Sequence, residues 1–410
     1  MHSGACSTAR WVVCRWHPSA LPDVTHLASN ARECIQALGW NGPPALEDPL
    51  NSSLPLADFR HEVQQAIDSA LSEQRALVTP VGPETDQLLD AIAQLLSGGK
   101  RFRALFCYQA YKAAGGTHDH AAVRVGAALE FFQGAALIHD DVMDDSAVRR
   151  GAPAAHVAFA QAHREAGWER SPERFGLSGA VLAGDLCLVA SEQLFLDSGL
   201  PLEELNRARI EFNTMRSQLM AGQWLEFVIS NRGWKNISTA ERIEQARKVV
   251  QFKSAKYSIE QPALIGADAA GINPTDRELL SRYGLAVGEA FQLRDDVLGV
   301  FGNPETTGKP AGDDLREGKR TVLLALALDA ASPEETHFLA SLIGEENLTS
   351  EQVERAREIF ITTGAMERHE TMIRAGAQTA HEALAATTEL TVEGKAELAE
   401  LIHVATERNT

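Results

Sequence analysis

From Asp58 onward apolar residues recur at helical spacing. Phe59, Val63, Ala66, Ile67 and Leu71 stand three or four positions apart and so share one face of a helix. The same pattern predicts helices over 85–96, 101–114, 121–144, 179–197, 203–229, 239–265, 275–301 and 319–329. No stretch alternates apolar and polar residues between hairpin turns, so strands are not expected. Gly, Pro and charged residues mark the connections at 113–120, 167–176, 231–236 and 302–319, and no internal repeat is visible. Residues 1–54 read differently. They are rich in Pro, Gly, Ser and Asn, with turn signals at Asn41-Gly42-Pro43-Pro44 and Asn51-Ser52-Ser53. The expected organisation is a loosely ordered extension over 1–54 followed by one all-α domain over 55–410, a single large helical bundle.

Composition narrows the partners. Aromatics are sparse at 6%, while abundant Ala, Leu, Glu and Arg favour helix. A net charge of −18 argues against a nucleic-acid partner, which needs a basic surface, but a local group of Lys and Arg can still hold a small anion. Five scattered cysteines do not make a disulfide framework, and a reducing cytoplasm is the simpler setting. No stretch is read as the roughly 20 apolar residues of a membrane span.

The densest chemistry lies in Ile138-His139-Asp140-Asp141-Val142-Met143-Asp144-Asp145, at the end of an apolar helix. Asp140 and Asp144 fall one turn apart on the same face, with Asp141 beside them. Carboxylates this close repel each other, and acid at a helix C-terminus opposes the helix dipole. Divalent cations remove that cost, and magnesium is usually held by one or two carboxylates plus substrate phosphates. A second acidic pair, Asp295-Asp296, also ends an apolar helix, and Gln292 one turn earlier can face the same cavity. Basic residues gather in short groups near glycines and helix ends: Gly98-Gly99-Lys100-Arg101-Phe102-Arg103, Arg149-Arg150-Gly151, Lys253-Ser254, and Gly308-Lys309-Pro310 through Gly318-Lys319. Each group alone is an ordinary solvated surface feature; together with two acidic pairs they suggest a diphosphate site.

Over most of residues 85–330 the chain resembles the trans-type polyprenyl synthetases, the isoprenyl diphosphate synthase family. The resemblance rests on the motifs just quoted, taken in order, with Gly222-Gln223 between them. It implies a helical bundle around a central cavity, of the type I isoprenoid synthase kind. The implied reaction joins isopentenyl diphosphate to an allylic diphosphate head to tail, with magnesium, three ions per site, and a homodimer as the working unit. Asp140, Asp141, Asp144, Asp295 and Asp296 would then hold the metal on the allylic diphosphate. Arg149, Lys253, Ser254, Gln292, Lys309 and Lys319 would contact that substrate, while Lys100, Arg103, Gln133 and Arg150 would hold isopentenyl diphosphate.

Three positions depart from the family pattern. Gln133 stands where a histidine is usual and can donate a hydrogen bond but cannot become cationic. Glu226 replaces the aspartate that follows Gly-Gln, and Gly299 replaces the third acid of the second motif. Two other readings share parts of the pattern. A class I terpene cyclase needs no second basic site such as Lys100 and Arg103, and a non-catalytic synthase subunit has no use for both acidic pairs. For product length, Ala135 and Ala136 leave the first step of the tunnel open, and Phe131 and Phe132, about one turn further back, are placed to close the next. Geranylgeranyl diphosphate is the expected product, with farnesyl and longer chains as alternatives.

Overall fold

The computed structural model describes residues 56–407, apart from Lys235, residues 303–311 and Glu346. The extension over 1–54 and Lys309 lie outside the described residues. The first helices are α1 (Leu56–Val78), α2 (Asp86–Leu96), α3 (Phe102–Ala113) and α4 (Asp119–Met143). A two-residue antiparallel pairing follows, β1 (Val148–Arg149) with β2 (Ala152–Pro153), Val148 opposite Pro153. Its turn passes through Arg150 and Gly151, both at positive φ. Two residues are too few to show alternation, so this hairpin could not be read from the sequence.

Next come α5 (Ala155–Glu165), α6 (Pro172–Leu196) and α7 (Leu202–Arg232). The pattern missed α5, whose many alanines blur its apolar face. It also placed residues 172–176 in a loop, whereas they form the first turn of α6: Ser171 accepts a hydrogen bond from the Arg174 amide, and Pro172 takes the position where no amide donor is needed. The stretch expected as one helix over 239–265 is in fact three pieces. These are α8 (Thr239–Val249), a π-helical segment (Val250–Glu260) and α9 (Gln261–Ala270). The long α10 (Pro274–Phe301), the short α11 (Asp313–Arg316) and α12 (Val322–Ala330) complete the predicted region. Beyond it lie α13 (Pro333–Leu342), α14 (Ser350–Thr362), α15 (Ala365–Ala386) and α16 (Val392–Thr406).

The bundle buries two apolar cores. The larger gathers α3, α4, α6 and α9 around Phe106, Phe131 and Phe195, and the smaller surrounds α12 with side chains from α8, α10, α14 and α15. α4 runs along α6, and α10 packs against both the π-helical segment and α15. Glycine sets the closest of these approaches. On α7, a Cβ at Gly222 would stand 2.6 Å from the Phe252 carbonyl carbon, so only glycine lets α7 meet the backbone of the π-helical segment just before Lys253.

Two helices, α4 and α6, are long and apolar enough to cross a membrane by length and composition, each with a mean hydropathy of 1.4 over its most apolar window. The expectation that no stretch approaches that limit is corrected here; alanine supplies much of the apolar character. The α4 window is 78% buried within the bundle, the α6 window only 50%. Val181, Leu182 and Val189 stand exposed on α6, and Ile210, Trp224 and Phe227 on α7.

Candidate active site

A cavity of about 670 Å³ opens between the ends of α3, α4, α7, α10 and the π-helical segment. One wall is basic. Lys100 and Arg103 reach it from the start of α3 and Arg150 from the hairpin turn. The glycine turn before α3 is strapped from beneath. Arg101 takes a left-handed conformation at φ 55 and buries its guanidinium against Glu130 at 3.1 Å, Gln64 at 2.5 Å and the Leu96 carbonyl. Arg150 donates to the carbonyls of Leu95 and Gly98 at 2.8 and 2.9 Å and so holds the same turn from above. Arg103 lies 4.0 Å over the Tyr257 ring and donates to Ser258 Oγ at 2.7 Å. Its Nε is buried without a hydrogen-bond partner, a donor placed for an anion. Gln133 lines the cavity close by.

Another part of the lining is acidic and threaded with cations. Asp140 accepts from Gln223 Nε2 at 2.8 Å and from Lys253 Nζ at 3.1 Å. Lys253 also pairs with Glu226. Burial works to raise the Asp140 carboxyl, but Lys253, Lys319 and Arg149 together outweigh it and hold the group below the usual carboxylate value. Burial likewise works to lower the Lys253 ammonium, and Glu226 and Asp140 more than reverse it. Lys319 pairs with Glu317 and stands 3.7 Å from Asp314. From α10, Gln292 donates to Asp296 Oδ1 at 2.9 Å. Burial, then the charge of Asp314, pushes the Asp296 carboxyl well above its ordinary range. Asp295, Ser254 and Arg149 complete the predicted residues on this lining.

Other predicted residues stand back from the cavity. Asp141 is buried and its Oδ1 takes the Arg149 guanidinium, so it anchors that arginine at the cavity edge. Asp144 caps the end of α4 beyond the lining residues, close enough to feel the charges of Asp140, Lys319 and Lys253. Of the four chain-length positions Ala136 alone lines the cavity; Ala135, Phe131 and Phe132 are buried behind it, with Phe132 edge-on to Tyr257 at 6.0 Å between ring centroids. The sequence pattern offered no site role for Arg101, Gln223, Tyr257, Ser258 or Asp314. Arg101 and Gln223 stood inside quoted motifs without a role of their own, and Asp314 carried a signal as an acid within the basic glycine-rich loop that ends at Lys319.

A divalent cation fits this chemistry. Asp296 Oδ2 is buried and has no hydrogen-bond partner, an orphaned acceptor on the cavity lining. Among the described residues no three acidic, His or Cys side chains surround one point as a self-contained cage. The carboxylates stand singly or in pairs around open space, the arrangement magnesium accepts when phosphates and water fill the rest of its shell.

Three comparisons bear on this site. The sequence model of the polyprenyl synthetase family matches residues 85–360. A geranylfarnesyl diphosphate synthase of Aeropyrum pernix is 32% identical over 328 residues, which is 79% of this chain and 95% of the relative. A geranylgeranyl diphosphate synthase of Sulfolobus acidocaldarius is 32% identical over 64% of this chain and 73% of its own length. Among solved structures, the geranylgeranyl pyrophosphate synthase of Corynebacterium glutamicum, complexed with isoprenyl diphosphate and magnesium, superposes with a TM-score of 0.82. It is 38% identical and covers 87% of this chain and all of its own.

The acidic wall has a measurable consequence for the metal-free protein. Burial, then the charge of Asp140, raises the Asp144 carboxyl to about 7. The folded state therefore keeps a proton on Asp144 that the unfolded chain, with an ordinary value of about 4, has already released. Stability from this group is present at low pH and falls as pH rises from about 4 to about 7. Asp144→Asn should remove that slope and raise metal-free stability at pH 8 by about 1–2 kcal/mol, after allowance for solvent screening, with little change at pH 4. Urea denaturation at the two pH values checks this; equal stabilities of variant and parent at pH 8 would refute it.

Proposed function

The chain belongs to the polyprenyl synthetase family, and on that footing we propose that this cavity joins isopentenyl diphosphate to an allylic diphosphate, with geranylgeranyl diphosphate as the product. It is a prenyl transferase that elongates trans-polyprenyl diphosphates. The observation that carries the site reading is that a basic group and an acidic group line one and the same cavity. Lys100, Arg103 and Arg150 suit the diphosphate of isopentenyl diphosphate, which needs direct cationic donors, and Gln133 adds a neutral one. Asp140, Asp295 and Asp296 suit magnesium on the allylic diphosphate, with Arg149, Lys253, Ser254, Gln292, Lys319 and Lys309 around it. Asp141 and Asp144 support that set from the edge of the cavity. Three ions per site and a cytoplasmic setting complete the proposal.

Magnesium, when bound, supplies positive charge where the leaving diphosphate gathers negative charge. The residues of the chain do the rest. Lys253 and Arg149 stand where they can add hydrogen bonds to the departing oxygens as the allylic carbon–oxygen bond breaks. The isopentenyl double bond then attacks the allylic cation, and the adduct regains a double bond by giving a proton to the released diphosphate. Phe102 and Phe291, edge to face at 5.7 Å, and Tyr257 present ring surface to the cavity and exclude water from the cation.

Asp140→Ala and Asp295→Ala should each leave the protein folded and lower turnover on the order of 10³-fold or more, since each removes several kcal/mol of stabilisation at a charge-developing centre. Assay with labelled isopentenyl diphosphate at saturating magnesium checks this, and near-normal turnover in either variant would sink the metal assignment. For product length, Ala136 is the position on the cavity wall, so Ala136→Phe should shorten the product to farnesyl diphosphate. Ala135→Phe would instead crowd a filled core at a cost of about 1–3 kcal/mol. Chromatography of the dephosphorylated products decides; an unchanged chain length in Ala136→Phe means that this wall does not limit growth.

The homodimer gains support from α6 and α7. These helices touch through the stacked rings of Phe195 and Phe212, 4.1 Å apart, and both carry exposed apolar residues. We place the second copy on this face. Leu182→Asp combined with Val189→Asp should yield a folded monomer by sedimentation, and a parent protein that itself sediments as a monomer would remove the proposal.

A further inference from the structure

The two acidic motifs differ at one position. The first has acids at Asp140, Asp141 and Asp144, the second at Asp295 and Asp296, with Gly299 where the next acid would stand. Gly299 does not leave an empty space. A Cβ built on it would overlap Asp314 Oδ2 and lie 2.5 Å from Asp314 Cγ. The carboxylate of Asp314 therefore occupies the volume that a side chain at position 299 would fill. Asp314 arrives from a different element, α11, after Gly312 at φ 77, and it lines the same cavity as Asp295 and Asp296.

A second observation points to a ligand at this place. Asp296 is only 3% exposed, its Oδ1 is taken by Gln292, and its Oδ2 has no hydrogen-bond partner. A buried carboxylate oxygen without a donor, beside a second carboxylate, is costly unless a cation shares the site. Among the described residues Lys319 is a cation near this place, and its ammonium pairs with Glu317 and is 3.7 Å from Asp314.

We propose that Asp314 supplies the third carboxylate of the second metal-binding group, entering through the notch that Gly299 leaves in α10. The inference rests on the prenyl transferase reading and names a residue which the acidic motif itself lacks. Asp314 and Asp296 face a cation whose remaining ligands are diphosphate oxygens and water. Glycine at 299 and aspartate at 314 are reciprocal in this arrangement: a side chain at 299 would have to push the Asp314 carboxylate aside.

That reciprocity supplies the test. Manganese(II) binding to the full chain is followed by electron paramagnetic resonance in the presence of inorganic pyrophosphate, for the parent, Asp314→Asn, and the double variant Gly299→Asp/Asp314→Ala. Asp314→Asn keeps the size of the side chain and a carbonyl oxygen for Lys319 but loses the charge. It should weaken pyrophosphate-dependent manganese binding about tenfold or more. The double variant returns a carboxylate from α10 and should recover most of that loss. Unchanged binding in Asp314→Asn overturns the proposal. So does a weakened single variant that the double variant does not rescue, because Asp314 would then act only by holding Lys319. A parent that binds no manganese with pyrophosphate would remove the metal reading of the whole site, and this assignment with it.

Discussion

The structure is organised around a repulsion. Asp140, Glu226, Asp295, Asp296 and Asp314 share one cavity in the interior of a helical bundle. Two like charges about 4 Å apart near a protein surface cost about 4 kcal/mol, and more where water is excluded. In the chain by itself that cost is offset by internal cations. Lys253 bridges Asp140 and Glu226, Lys319 lies between Asp314 and Glu317, and Arg149 is held against Asp141. These lysines and arginines are not additions to a finished acidic site. They offset the repulsion together with the protons that burial favours on Asp144 and Asp296.

Delivering cations to the middle of a bundle is a backbone problem, and the region around Lys253 solves it. A regular helix through Val250–Glu260 would carry its side chains round at 3.6 residues per turn. The wider π-helical winding changes that register, and Lys253, Ser254, Tyr257 and Ser258 all reach the cavity lining from this segment. The widened backbone needs room, which Gly222 provides by having no side chain where α7 crosses Phe252 and Lys253. One residue on α7 thus permits the close approach, and the next, Gln223, hydrogen-bonds Asp140. The basic wall is built by a comparable device: Arg101, in a left-handed conformation and locked to Glu130, turns the chain so that Lys100 and Arg103 both reach the cavity.

The all-helical class and the acidic and basic groups were legible because each depends on short-range features. Helical spacing shows in a dozen residues, and an Asp-Asp pair at a helix end is visible without knowing what lies opposite. What could not be read were features set by a second element. The winding of Val250–Glu260 leaves no mark in the apolar pattern, which stays helical in period. The glycine at 222 explains itself only once Phe252 is seen against it. Phe131 and Ala135 were legible as apolar residues on the right helix, but the structure puts them in the core while Gln133, Ala136, Leu137 and Asp140 turn to the cavity. Spacing identifies which residues share a face; it does not say which face meets the cavity. Gly299, in the same way, read as a missing acid until Asp314 was found in its place.

The two walls also bear on how one cavity can tell two diphosphates apart, given the proposed function. The ligands carry the same charged group, so neither size nor charge of that group separates them. The environments do. Against Asp140, Asp295, Asp296 and Asp314 a bare diphosphate meets like charge, and it becomes acceptable only with divalent cations between. Against Lys100, Arg103 and Arg150 it needs no metal, and cations brought there would be repelled. Under that proposal ionisation is confined to the side whose carboxylates would hold the metal, where charge on the leaving group is stabilised. The other diphosphate, held by side chains alone, keeps its carbon–oxygen bond and offers only its double bond. On the proposed assignment, the sign of the charge on each wall decides which diphosphate leaves and which stays.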